Sequence, residues 1–175
     1  MERHKWLNMF WYIVHVKSKG DKKLACYLNE QGNVKAFIPK VEKWYTINGI
    51  KDYIIKDLYP DYLFIKTSLD KDEFYEEYKD FFGSINGIAE MLDYDDVYAF
   101  NQEEQMLMEK LFNKENIIKH SIGNIVNSKL IVDSGPLVNL EDKVIKIDRH
   151  HRTATLKNEF FNGTFKVPLE VVTKS

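Results

Sequence analysis

The chain has 175 residues, 44% hydrophobic and 14% aromatic, which is enough apolar material for one large domain or two smaller ones and excludes wholesale disorder. Its formal net charge of −2 does not by itself point to nucleic acid, and a single cysteine, Cys26, excludes an intrachain disulfide, as expected in a reducing cytosol. No apolar run approaches the roughly 20 residues that span a bilayer, and MERHKWLNMFWYIVHV is not patterned as a secretory signal, so the chain reads as a soluble cytoplasmic protein.

Phe10–Val16 is β-branched and aromatic, the pattern of a strand; alternation puts Trp11, Ile13 and His15 on one face and Tyr12, Val14 and Val16 on the other. Asp21 is placed to cap a helix over roughly residues 22–31, with Leu24 and Leu28 on its buried stripe and Gly32-Asn33 ending it. Ala36–Pro39 and Trp44–Ile47 read as extended, and Asn48-Gly49 as a hairpin turn before Lys51–Lys56. Tyr62–Lys66 is a short buried strand. Asp70–Phe82 is an acidic helix with Phe74, Tyr78 and Phe81 inward. Ile85–Ile88 is a brief strand, and Asn101–Phe112 a helix with Met108, Leu111 and Phe112 on its stripe. Residues 113–121 (NKENIIKHS) are polar and weakly patterned, as in a linker. Beyond them come only short β-type runs, which implies a small barrel over 122–175.

The near-neutral total hides an uneven distribution. Residues 1–66 carry 12 Lys/Arg against 7 Asp/Glu, residues 70–104 carry 2 against 12, and residues 119–175 carry 9 against 6. Two basic flanks could attract phosphate, while the acidic belt between them would repel it; solvated surfaces account for the same charges. The stretch KIDRHHRTATL sets Arg149, His150, His151 and Arg152 side by side. Neighbours on a strand point to opposite faces, and no cysteine or third histidine lies close by, so metal is not expected. Contact with RNA or DNA through Lys143, Lys146, Arg149, His150, His151, Arg152 and Lys157 stands against an ordinary basic turn. Cys26 reads as a structural helix cysteine, and Asp93, Asp95 and Asp96 as an acidic loop rather than a calcium loop. No catalytic constellation, phosphate loop or cofactor motif is present in the sequence, so neither an enzyme nor a cofactor is expected.

Five segments in register carry a family resemblance. Trp11-Tyr-Ile-Val-His15 resembles the opening strand of the NusG N-terminal (NGN) domain, Ala36-Phe-Ile-Pro39 its FxP segment, and Asp57-Leu-Tyr-Pro-Asp-Tyr-Leu-Phe-Ile65 its LFPGYxF signature. Asp133–Asp148 resembles the KOW motif, and Leu169–Lys174 its closing strand. The resemblance implies a ferredoxin-like α+β NGN domain over residues 1–112, a linker over 113–121, and an SH3-like KOW barrel over 122–175. It implies a monomeric transcription elongation factor that grips the clamp helices of RNA polymerase and reaches nascent RNA or upstream DNA. Asp61 stands where general NusG factors have Gly, Leu137 where they have Phe, and Asp142 where they have Gly. These departures are similar to the specialised LoaP-type antiterminators, which act on selected operons through a leader RNA hairpin. The alternatives are a general NusG factor and a ribosome-associated KOW RNA-binding protein.

With that resemblance, Trp11, Tyr12, Tyr59, Tyr62 and Phe64 become candidates for an apolar pocket that receives the clamp helices, with strand core as the competing reading. Tyr59 and Tyr62 flank a Pro turn where side chains can reach outward. Lys17, Lys19, Lys22 and Lys23 surround the start of the first helix, which lies near upstream DNA in the family. Leu137 occupies the position through which the family's KOW domain contacts a ribosomal protein or Rho, and coupling to both is less expected here.

Overall fold

The computed structural model describes residues 9–16, 20–84, 97–157 and 163–175, without the side chains of 81–84. The expected strand Ile85–Ile88, the acidic loop of Asp93, Asp95 and Asp96, and the Phe81 side chain lie outside the described residues. In chain order the elements are β1 (Phe10–His15), α1 (Asp21–Glu30), β2 (Val34–Phe37), β3 (Lys40–Ile47), β4 (Ile50–Asp57), β5 (Tyr62–Thr67), α2 (Lys71–Ser84) and β6 (Val97–Ala99). There follow α3 (Gln102–Leu111), β7 (Ile117–Ile118), β8 (Ser121–Val126), β9 (Lys129–Ser134), β10 (Val144–Asp148), β11 (Thr153–Lys157) and β12 (Thr164–Lys174). The chain divides into two units, Met1–Pro39 with Leu58–Gln105, and Lys40–Asp57 with Met106–Ser175.

In the first unit the strands order as β2-β5-β1-β6, antiparallel throughout, with β1 and β5 central. Strand–helix–strand twice over, in that order, is the arrangement expected of a ferredoxin-like unit. Period-2 alternation decides its core. Tyr12, Val14 and Val16 of the first strand segment join Leu63 and Ile65 of β5, Leu24, Ala25 and Leu28 of α1, and Phe74 and Tyr78 of α2. Both helices therefore cover one face, as the apolar spacing requires. The other face carries Trp11, Phe37, Phe64 and Phe100 in edge-on contacts, with centroids 5.6–6.0 Å apart. Each such pair contributes about 0.5–1.5 kcal/mol beyond area burial.

Local signals fix the helix starts. Asp70 Oδ1 accepts from the Glu73 N–H at 2.9 Å while Glu73 Oε2 accepts from the Asp70 N–H at 3.0 Å. Asn101 and Glu104 make the same reciprocal pair at 2.8 and 2.9 Å before α3. These capping boxes satisfy amides that a helix N-terminus otherwise leaves without partners. The expected Asp21 cap is not made: Gly20 is the N-cap and Asp21 stands in the first turn, where its charge favours the positive end of the helix dipole.

In the second unit, Asn48 and Gly49 take φ of 51° and 79°, the two left-handed residues of a tight hairpin turn between β3 and β4. The segment 113–121, expected as a linker, is built into this unit. Ile117 and Ile118 form β7, which pairs parallel with Lys40 and Val41 of β3. Asn113 Oδ1 accepts from the N–H groups of Glu115 and Ile117, both at 2.9 Å, which closes the loop before β7. The sequence shows only two apolar residues there, too short a run to read as a strand.

The remaining strands form a five-stranded sheet ordered β10-β11-β12-β8-β9, with β12 and β8 parallel and every other pair antiparallel. Two expected short runs, Thr164–Val167 and Glu170–Val172, are one strand, β12; it continues through Pro168. Leu137, Ala154, Leu156, Phe165, Val167 and Leu169 are buried. Leu137, expected as a contact for a partner, is a core residue: its N–H donates to Ser121 Oγ at 3.0 Å and its side chain has no exposed surface.

Candidate polymerase and nucleic-acid surfaces

The LYPDYLFI signature folds as a turn into β5. Asp61 has φ of 66°, a left-handed conformation that Asp tolerates, so the turn forms without glycine. The Asp61 carbonyl accepts from the Val16 N–H at 2.6 Å and ties the turn to the end of β1. Tyr59 and Tyr62 both retain partial exposure. Their ring centroids are 6.1 Å apart, and Tyr62 in turn lies 5.0 Å from the His15 ring. Burial pushes the Tyr59 hydroxyl well above its ordinary pKa, so the phenol stays neutral.

The other three aromatics proposed for this pocket are interior. Tyr12 is 1% exposed, stacks on Phe74 at 5.0 Å and donates to the Leu69 carbonyl at 2.8 Å. Trp11 and Phe64 sit in the aromatic cluster of the opposite face, where Lys66 Nζ lies 3.9 Å from the Trp11 ring centre. Alternation correctly pairs the faces of Tyr62 and Phe64, but only the residue at the strand end reaches the surface. Lys22 and Lys23 are exposed on the first turn of α1, as is Cys26 further along it. Lys17 and Lys19 lie outside the described residues.

The Arg149–Arg152 stretch is the connection between β10 and β11. His151 donates its backbone N–H to Asp148 Oδ1 at 2.9 Å and its ring Nδ1 lies 2.7 Å from Asp148 Oδ2. These contacts, the backbone one foremost, hold the Asp148 carboxyl down to a pKa of about 2. Arg149, His150 and His151 are exposed, as are Lys143, Lys146 and Lys157. Among the described residues no group of three or more His, Cys, Asp or Glu could hold a metal.

Arg152 is placed differently. Its Nη1 is 2.9 Å from Glu170 Oε1, and its guanidinium carbon stands 3.5 Å from the centre of the Trp44 ring. Trp44 pairs with Tyr53 across the β3–β4 hairpin, and the Tyr53 hydroxyl is 3.5 Å from Glu170 Oε2. Burial raises the Tyr53 pKa against the opposing pull of Arg152, so this hydroxyl too stays protonated. Next along the same hairpin face, Glu42 accepts from Lys119 Nζ at 2.9 Å and from the His120 N–H at 2.8 Å, and the His120 ring Nδ1 is 2.6 Å away. Sequence reading passed over Trp44, Tyr53, Glu42 and His120. The alternation of KVEKWYTI does set Glu42 and Trp44 on one face, but nothing local names partners more than seventy residues away.

A family model described as transcription termination factor NusG matches residues 9–109, more than half of the chain. The chain belongs to the NusG family. No curated protein matches it. Members of the NusG family are transcription elongation and termination factors that bind RNA polymerase. The match covers the first unit, the hairpin and most of α3, and ends before the five-stranded sheet. Among the described residues no helix is long and apolar enough to cross a membrane.

Proposed function

We propose that this NusG-family chain is a non-enzymatic, processive antiterminator that acts in the cytoplasm on selected operons. It binds the clamp helices of RNA polymerase through the partly exposed Tyr59–Tyr62 pair and reaches a leader RNA hairpin through its basic C-terminal strands. The observation that carries the reading is the β10–β11 turn, which presents Arg149, His150 and His151 to solvent on a connection anchored at both ends. Arg supplies bidentate contacts to phosphate or guanine, and imidazoles can stack on unpaired bases. The burial of Leu137 supports the specialist over a general factor coupled to a ribosomal protein or Rho, because its side chain offers no contact surface.

The test is co-elution of the chain with elongating RNA polymerase, with and without a leader RNA hairpin in the transcript. Co-elution strengthened by the hairpin supports the reading. Equal co-elution on any transcript supports a general factor, and none at all opposes both.

A further inference from the structure

Four basic or potentially basic residues in a row suggest four equivalent contacts for nucleic acid. The geometry separates one from the other three. Arg152 is matched in charge by Glu170 at 2.9 Å and has its guanidinium on the Trp44 ring at 3.5 Å, while Arg149, His150 and His151 are exposed. Arg152 also has φ of 49°, the left-handed region that a residue with a Cβ occupies at a cost. The surroundings hold it there: its carbonyl accepts from the Leu169 N–H at 2.9 Å, so main chain and side chain are both fixed to β12. At the other end of the turn, Asp148 grips His151 through backbone and ring. The exposed residues therefore stand between two fixed posts, and the second post rests on the β3–β4 hairpin.

We propose that Arg152 is a positioning residue for nucleic-acid binding: it clamps the β10–β11 turn onto Trp44 of the hairpin, so that Arg149, His150 and His151 meet the ligand already arranged. The inference rests on the nucleic-acid reading given above and assigns Trp44, an uncharged residue of a different sheet, a share in affinity. A turn ordered beforehand loses less conformational freedom on binding, so breaking the clamp weakens binding without removing an ionic contact. A phosphate contact behaves otherwise, because its loss reduces the dependence of affinity on salt by about one unit of slope.

The experiment is fluorescence anisotropy with a labelled RNA stem-loop and a labelled single strand, titrated over a range of salt concentrations, using the full chain. Arg149→Ala should reduce the salt slope by about one. Arg152→Gly suits the left-handed backbone and deletes the clamp; Trp44→Ala deletes its platform. Each should weaken binding by about tenfold at unchanged slope, and the double variant should bind no more weakly than either alone. Arg152→Lys, which keeps the charge without the planar stack, should behave like Arg152→Gly, whereas Trp44→Phe should retain most of the affinity. Near-ultraviolet circular dichroism checks that each variant is folded, and the two Trp44 variants stand as the independent arm should an Arg152 variant fail. A reduced slope for Arg152→Gly, or wild-type affinity for Trp44→Ala, would overturn the proposal while leaving the nucleic-acid reading intact. A wild-type chain that binds neither probe would overturn that reading, and the positioning role with it.

Discussion

The Tyr53 and His120 rings lie face to face, their centroids 4.0 Å apart and their planes 5° from parallel. The stack joins hairpin strand β4 to the residue just ahead of β8, and the same His120 gives its backbone N–H and its ring nitrogen to Glu42 of β3. Removing the ring takes away an aromatic contact and one of three partners of a nearly buried carboxylate. His120→Ala should therefore lower the unfolding free energy by about 1–3 kcal/mol, measured by urea denaturation. His120→Phe, which keeps the stack and the backbone donor, should lose less. Equal losses in the two variants would show that the stack contributes nothing.

Glu42 gives this region a dependence on acid. Burial pushes its carboxyl up, but hydrogen bonds from the His120 N–H, Lys119 Nζ and the His120 ring outweigh burial and set it below its ordinary value of 4.5. A carboxyl depressed in the folded state contributes its stabilisation fully above the unfolded pKa and loses it as pH falls through the folded one. The stability difference between the wild type and Glu42→Gln, read from urea midpoints, should accordingly shrink as pH is taken below about 4.5. A difference that stays constant across that window would remove Glu42 as the titrating group.

The five aromatics first grouped as a polymerase pocket should separate into two classes. Trp11→Ala should cost about 3–5 kcal/mol of stability, because the indole is 1% exposed and ringed by Phe37 and Phe100. Tyr59→Ala combined with Tyr62→Ala should leave a folded protein that no longer binds polymerase tightly in a pull-down. Wild-type retention by the double variant would show that the pair is not the docking surface.

Two glycines test the packing of the C-terminal strands. A Cβ at Gly123 would stand 2.5 Å from the Ile131 carbonyl oxygen and 3.2 Å from Val132 Cα, both backbone atoms of the paired strand β9. At Gly135 the φ is +97° and a Cβ would lie 2.6 Å from Ser121 Cα, so a side chain there meets strain and collision together. Gly123→Ala and Gly135→Ala should each destabilise the chain by about 1–3 kcal/mol, and thermal melts would show it as a lowered midpoint. An unchanged midpoint would mean that the strands shift to make room.

Most of the first unit was legible because its signals are local. The two faces of β1, the α1 stripe of Leu24 and Leu28 and the left-handed Asp61 all follow from neighbouring residues, as does the Asn48-Gly49 turn of the second unit. What was not legible depends on distant pairing. β7 is two residues long and exists because β3 offers it an edge. The short β6 was missed, and it pairs with Tyr12–Val14 of β1. Arg152 could not be told from Arg149 by sequence, since the distinction is made by Trp44 and Glu170, which lie on other strands. Trp11, Tyr12 and Phe64 became surface candidates through the family resemblance; residues of α1 and α2 cover Tyr12 on one face, and Trp11, Phe64 and their aromatic neighbours cover each other on the other.

The proposed promotion of elongation on transcripts that carry a leader is tested most directly by in vitro transcription through an intrinsic terminator, with purified RNA polymerase, with and without the native leader upstream. Readthrough should rise when chain and leader are both present, and fall back in the Tyr59→Ala, Tyr62→Ala double variant. Readthrough unaffected by the chain, or raised equally on a template without the leader, would contradict the proposal.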